Sequence, residues 1–239
     1  MNEFPPRDRA RHPPALYEPY KSTRLRAPQQ PLLLMPTSPA EESGPVFGPD
    51  LIGQEDADLI HNFAAEGGAA IGPRIVVHGR VMDEFGRPAP GALLEVWQAN
   101  AGGRYRHKRE GYLAPLDPNF GGCGRVVTGA DGAYRFHTIM PGAYPWPNGP
   151  NSWRPAHIHF SLFGQAFAQR LVTQMYFEGD PLILLCPIVQ SVLDADGVAA
   201  LTATLDMDAA VPMDSLAYRF DIVLRGRRQT PFEDRPEGM

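Results

Sequence analysis

Cysteine is nearly absent. The 239-residue chain holds only Cys123 and Cys186, far apart and outside any Cys-x-x-Cys spacing. That excludes a disulfide framework and predicts reduced thiols in a cytoplasmic setting. A run of about 18 consecutive apolar residues, the length needed to cross a bilayer, is missing as well. The opening residues, MNEFPPRDRARHPP, contain no apolar signal segment, so a soluble protein is expected. Excess positive charge is also lacking: 22 Lys and Arg stand against 27 Asp and Glu, a formal net charge of −5. Nucleic-acid binders are usually basic. The short basic runs at 7–11 and 225–228 read as solvated surface or subunit contacts, with anion sites as the other reading. Internal repeats are absent.

Proline and glycine, by contrast, are abundant. The chain has 26 Pro and 24 Gly, about one residue in five, which is above ordinary usage but below that of low-complexity disordered chains. Breakers at that density exclude a helix bundle or coiled coil. Hydrophobic residues make up 43%, enough for a sizeable core. The composition predicts one compact, loop-rich, mainly β domain.

Residues 1–70 read as an N-terminal arm followed by a short helix, packed on the core or on a partner subunit. Eleven prolines between Pro5 and Pro49 keep the arm extended, with an edge strand expected at 32–35. Tyr17, Tyr20, Leu25 and Phe47 give it apolar anchors. A helix is expected at 55–65, where Leu59, Ile60 and Phe63 recur at helical spacing before Gly67 and Gly68. From residue 74 the apolar period becomes two. Strands are expected at 75–81, 92–98, 124–128, 133–139, 156–163, 170–177 and 216–225, with a hairpin turn at Asp131–Gly132 and a second helix at 198–205. The fold expected for 71–239 is an antiparallel two-sheet β-sandwich with long loops. Two connections, 100–124 and 140–155, are long and aromatic and read as the walls of a site.

His157 and His159 share one face of an expected strand, so their imidazoles point the same way. Such a pair suits one metal ion; a hydrogen-bonded structural pair is the alternative. No Cys, Asp or Glu lies between Met140 and His157, so a zinc site of the common kind is poorly supplied, although a zinc hydrolase stays open as a rival. What the flanking loops offer is Tyr144, Tyr105 and Tyr112. A phenol with a pKa of about 10 ligates at neutral pH only to a strongly Lewis-acidic ion such as Fe(III). Each tyrosine alone reads more readily as a packing residue with its hydroxyl hydrogen-bonded, and only the combination of phenols and imidazoles favours iron.

The segments RYRHKREGYLAPLDPNFGGCGR, PGAYPWPNGPNSWRPAHIHFSL, QMYFEGDPLI and AYRFDIVLRGRR resemble the β subunits of the intradiol ring-cleaving dioxygenases, from about Tyr20 to near the C-terminus. The resemblance implies a mononuclear non-haem Fe(III) held by Tyr105, Tyr144, His157 and His159, with Tyr112 outside the ligand set. It implies that Arg154 and Gln174 act on the reacting centre, that Tyr144 also serves as a base, and that Tyr20, Trp146, Ile188 and Trp97 bind substrate. The implied reaction cleaves protocatechuate (3,4-dihydroxybenzoate) with O2 to 3-carboxy-cis,cis-muconate, in the β-ketoadipate route of aromatic degradation. The implied partner is a related α subunit, with the arm and Phe47 at the interface. Ala143 and Pro147 depart from the pattern, where a proline and a basic residue are usual. This leaves another substituted catechol, such as 4-sulfocatechol, as the alternative substrate. A non-catalytic partner chain is the remaining reading, and retention of all four ligand positions argues against it.

Overall fold

The period-two pattern that begins near Arg74 becomes a ladder of strands. The computed structural model describes residues 11–31, 33, 52–163 and 171–231. Among these it contains β1 Arg74–Met82, β2 Leu93–Gln98, β3 Cys123–Val127, β4 Ala133–Ile139, β5 Tyr144–Pro145, β6 Trp153–Arg154, β7 His157–Phe163, β8 Leu171–Phe177, β9 Thr202–Leu205, β10 Leu216–Arg219 and β11 Ile222–Val223. The helices are short: Thr23–Arg26, Pro187–Gln190 and Ala195–Ala200. No helix among the described residues is long and apolar enough to cross a membrane. The expected edge strand at 32–35 and the Phe47 anchor lie outside the described residues, except Leu33, which is in no strand.

The protein is mainly β, but its sheet is mixed rather than a pair of antiparallel sheets. The strands follow one path, β11-β1-β10-β9-β8-β7-β2-β3, with β4 also against β1. β1 runs parallel to β10 and β11, and β8 runs parallel to β9. The joint is β9, where Thr204 and Leu205 pair with β10 while Thr202 and Ala203 pair with β8. One short strand thus carries the ladder from one half of the sheet to the other. The halves close over a shared core. Phe160 of β7 meets Phe136 of β4 at 6.0 Å and Phe220 at 5.2 Å between ring centroids. Ile75, Val77, Leu94, Val96 and Ile158 are buried in the same cluster, and removal of this apolar surface from water is the main force holding the halves together.

Four expected elements are corrected by local chemistry. The helix at 55–65 is instead a 3-10 turn at Gln54–Ala57 followed by further turns. The Asp58 carboxylate accepts from the Ile60 amide, and Leu59 N–H donates to the His137 carbonyl, so side-chain and inter-element bonds replace the helical ladder. The helix at 198–205 starts earlier, because Asp194 caps it by accepting from Gly197 N–H, and it gives way to β9 at Thr202. The Asp131–Gly132 turn forms, but its flanking strands part: β3 joins β2 and β4 joins β1. The strand at 216–225 is broken at Phe220–Asp221 into β10 and β11. There Asp221 Oδ1 accepts from Arg80 N–H, and the Phe220 amide donates to the His78 carbonyl.

That break presses the chain onto Gly79, where a Cβ would sit 1.9 Å from the Phe220 carbonyl oxygen. Gly79→Ala is therefore expected to destabilise the fold by about 3 kcal/mol, the upper range for overpacking against backbone. Denaturant unfolding checks this, and a variant as stable as wild type would show that the close approach is absent.

Candidate metal centre

The site grows from one row of the sheet. In an antiparallel ladder, residues directly opposite each other present their side chains on the same face. Trp97 of β2 lies opposite His159 of β7, which lies opposite Gln174 of β8. One step along, His157 lies opposite Tyr176. A single face therefore carries two imidazoles, an indole, an amide and a phenol. Trp97 stacks flat on His159, with centroids 4.7 Å apart and planes within 2°, which fixes the plane of that imidazole.

The two phenols arrive from the long loops. Asn100 organises the first: its Oδ1 accepts from the Gly102 and Arg104 amides, while its Nδ2 donates to the Pro115 carbonyl. Gly103 has φ +80, and a Cβ there would lie 2.4 Å from the Ala143 carbonyl oxygen. Only glycine lets the Tyr105 loop approach the Tyr144 loop so closely. The second loop folds into a two-residue ribbon in which Tyr144 pairs with Arg154.

The four donor atoms converge. Tyr105 Oη lies 3.3 Å from His157 Nε2 and 3.2 Å from His159 Nε2, and Tyr144 Oη lies 3.3 Å from His157 Nε2. His157 Nδ1 is 2.7 Å from the Pro155 carbonyl. A carbonyl only accepts, so Nδ1 carries the proton and Nε2 keeps its lone pair. Burial, reinforced by the Arg154 and His159 charges, holds the His157 pKa well below the ordinary histidine value, which keeps that ring neutral. Among the described residues no three His, Cys, Asp or Glu side chains are grouped for a metal; this cluster consists of two imidazoles and two phenols. Two imidazole nitrogens and two phenol oxygens suit a trivalent, strongly Lewis-acidic ion. A cleft of about 450 Å³ opens onto it, lined by Trp97, Tyr105, His107, Arg109, Tyr144 and His159 among others.

Arg154 is 5% exposed. Its Nη2 donates to Gln174 Oε1 and lies 3.4 Å from Tyr176 Oη, and its Cζ sits 5.6 Å from the Trp146 ring centroid. Ile188 and Tyr176 are buried in a second apolar cluster, with Tyr20 and Trp146 packed against it. Tyr20 meets Trp146 edge to face at 5.5 Å. The arm is pinned beside them: Lys21 N–H donates to Asn148 Oδ1, and Asn148 Nδ2 donates to the Pro19 carbonyl. Of the four residues expected to bind substrate, Tyr20, Trp146 and Ile188 come together, while Trp97 stands against His159. Asn100, Asn148 and Tyr176 were not singled out from sequence. An Asn preceding Gly-Gly or Gly-Pro was the available signal for the first two; Tyr176 had none beyond its place two residues after Gln174.

Two family models match the chain, one described as Dioxygenase over residues 42–226 and one as Protocatechuate 3,4-dioxygenase beta subunit N terminal over residues 6–38. The protocatechuate 3,4-dioxygenase beta chain of Burkholderia cepacia is 50% identical over 228 residues, which cover 95% of this chain and 96% of that one. The 6-chlorohydroxyquinol 1,2-dioxygenase of Cupriavidus pinatubonensis is 34% identical over 192 residues, 75% of this chain and 63% of that one. Among solved structures, 3-chlorocatechol 1,2-dioxygenase from Rhodococcus opacus superposes with TM-score 0.51 at 25% identity, covering 74% of this chain and 68% of that one. Catechol 1,2-dioxygenase from Pseudomonas arvilla gives TM-score 0.51 at 26% identity, covering 75% and 60% respectively.

Proposed function

The chain belongs to the intradiol ring-cleaving dioxygenase family, and on that premise we propose that it is the β subunit of a protocatechuate 3,4-dioxygenase, converting 3,4-dihydroxybenzoate and O2 to 3-carboxy-cis,cis-muconate. The observation that carries this reading is that Tyr105 Oη lies 3.2–3.3 Å from both His157 Nε2 and His159 Nε2, with Tyr144 Oη 3.3 Å from His157 Nε2. These four would hold non-haem Fe(III). Bound there, ferric iron supplies Lewis acidity and draws electron density from the aromatic ring.

The chain's own residues do the rest. Tyr144 Oη, as a phenolate, accepts a catechol hydroxyl proton. The buried Arg154 guanidinium places a fixed positive charge beside the ring carbon where negative charge develops, an interaction strengthened by the dry surroundings. Trp146 and Ile188 supply an apolar wall that excludes water. The Tyr20 hydroxyl donates to the substrate's ring carboxylate, which gives the pinned arm a role in recognition. A related α subunit completes the pocket. Ala143 and Pro147, which flank Tyr144, support a second reading on substrate alone, in which 4-sulfocatechol is turned over as well as or better than protocatechuate.

Colour tests the proposal. The protein co-purified with its α chain from iron-replete cells is expected to be red-brown from tyrosinate-to-Fe(III) charge transfer, and to shift in colour when catechol is added without air. A colourless, iron-free complex would sink the reading. A zinc-loaded one would favour the hydrolase rival.

A further inference from the structure

Gln174 and Tyr176 lie two residues apart on β8, opposite His159 and His157, and are 2% and 1% exposed. Gln174 Oε1 accepts two hydrogen bonds, one from Arg154 Nη2 and one, at 2.8 Å, from Tyr176 Oη. A glutamine amide is nearly symmetric in shape, and only its hydrogen bonds decide which end is oxygen. A guanidinium has donors and no acceptor, so Arg154 can face only the oxygen end. Tyr176 adds a second donor to the same oxygen. The opposite end, Nε2, is then buried and has no hydrogen-bond partner among the described residues. An orphaned buried donor is unfavourable and calls for an explanation.

We infer that Tyr176 is a positioning residue: together with Arg154 it locks the Gln174 amide with its oxygen outward and its NH2 presented as a donor to an anionic oxygen bound beside His159. Gln174 is on this account a hydrogen-bond donor to the reacting centre, and it cannot exchange that role for acceptance while the clamp holds. A ligand oxygen at Nε2 satisfies the orphaned group, so the interaction is made only when the pocket is filled. The inference rests on the proposed ring-cleavage reading for the identity of the ligand, but the clamp itself is a property of the chain alone.

The test uses the αβ complex with Tyr176→Phe, Gln174→Glu and the double variant. Gln174→Glu keeps an acceptor for both Arg154 and Tyr176 but loses the donor. Turnover is expected to fall about a hundredfold, as when a donor to a developing oxyanion is removed, with iron content unchanged. Tyr176→Phe leaves the ring against His157 and releases the amide. Its kcat is expected to fall about tenfold with KM within about twofold, as for one lost hydrogen bond. The double variant should match Gln174→Glu alone, because nothing is left to position. Multiplicative losses, or full turnover in Gln174→Glu, would overturn the assignment. A second measurement needs no iron: in the metal-free complex, Tyr176→Phe should lower the melting temperature in the wild-type background and have little further effect in a Gln174→Leu background. Equal shifts in both backgrounds would show that the bond is absent. A wild-type complex without iron or ring cleavage would defeat the proposed function while leaving this stability cycle to decide the clamp.

Discussion

His159→Ala is expected to leave a folded but nearly colourless protein holding less than about a tenth of the wild-type iron, since even residues that merely support metal ligands commonly contribute ten- to a hundredfold in affinity. His159 Nε2 lies 3.2 Å from Tyr105 Oη. The substitution also removes the surface on which Trp97 stacks, so some destabilisation accompanies the loss. Metal analysis and a thermal melt on the same preparation separate the two effects. Iron retained at wild-type stoichiometry would remove His159 from the ligand set. Tyr105→Phe, which keeps the ring and deletes only the oxygen, should lower the iron content in the same direction.

Arg154→Ala tests a different kind of contribution. Arg154 donates to Gln174 and lies near Tyr176. Iron should therefore stay bound and the charge-transfer colour persist, while kcat falls by about 10²–10³, the scale for removing a preorganised charge from a developing anion. The stability cost is separate. Removing the buried cation takes one of two donors from Gln174 Oε1, which keeps Tyr176, and opens space beside Trp146. Arg154→Lys should recover only part of the rate, because an ammonium cannot reproduce the planar fork. Full activity in Arg154→Ala would show that the charge has no part in the reaction. Loss of iron would make the residue a scaffold element instead.

The clustering of the candidate-site residues was more legible in the sequence than the sheet around them. His157-x-His159 announces itself because strand geometry alone puts alternate residues on one face, and the tyrosines stand in glycine-flanked loops whose aromatic content marks them out. The sheet's path was not legible. Nothing local in TATL at 202–205 indicates that one strand will serve two neighbours, one parallel and one antiparallel, and the helix expected there was displaced by the cap at Asp194, which starts it at Ala195. The break at Phe220–Asp221 was hidden for a similar reason. The alternation from 216 to 225 continues without fault through it, and only the approach of Gly79, from a strand far back in the chain, makes the chain step aside. The attachment of the arm was not legible, because the Asn148 that pins it lies far along the chain, in a different loop. Side-chain partners of that kind follow from the fold and do not precede it.

The meeting of Gly103 with Ala143 has a consequence for how this pocket can change. A Cβ at Gly142 would in turn fall 2.4 Å from the Ala101 carbonyl oxygen, so each of these two loops leaves room for the other's backbone. Neither loop owns its shape. Insertions and substitutions at this contact are filtered by both loops at once, and a graft that brings one loop from a relative with a different ring preference meets a backbone it was not selected against. The transferable unit of specificity is the pair, 100–124 together with 140–155, moved as one piece.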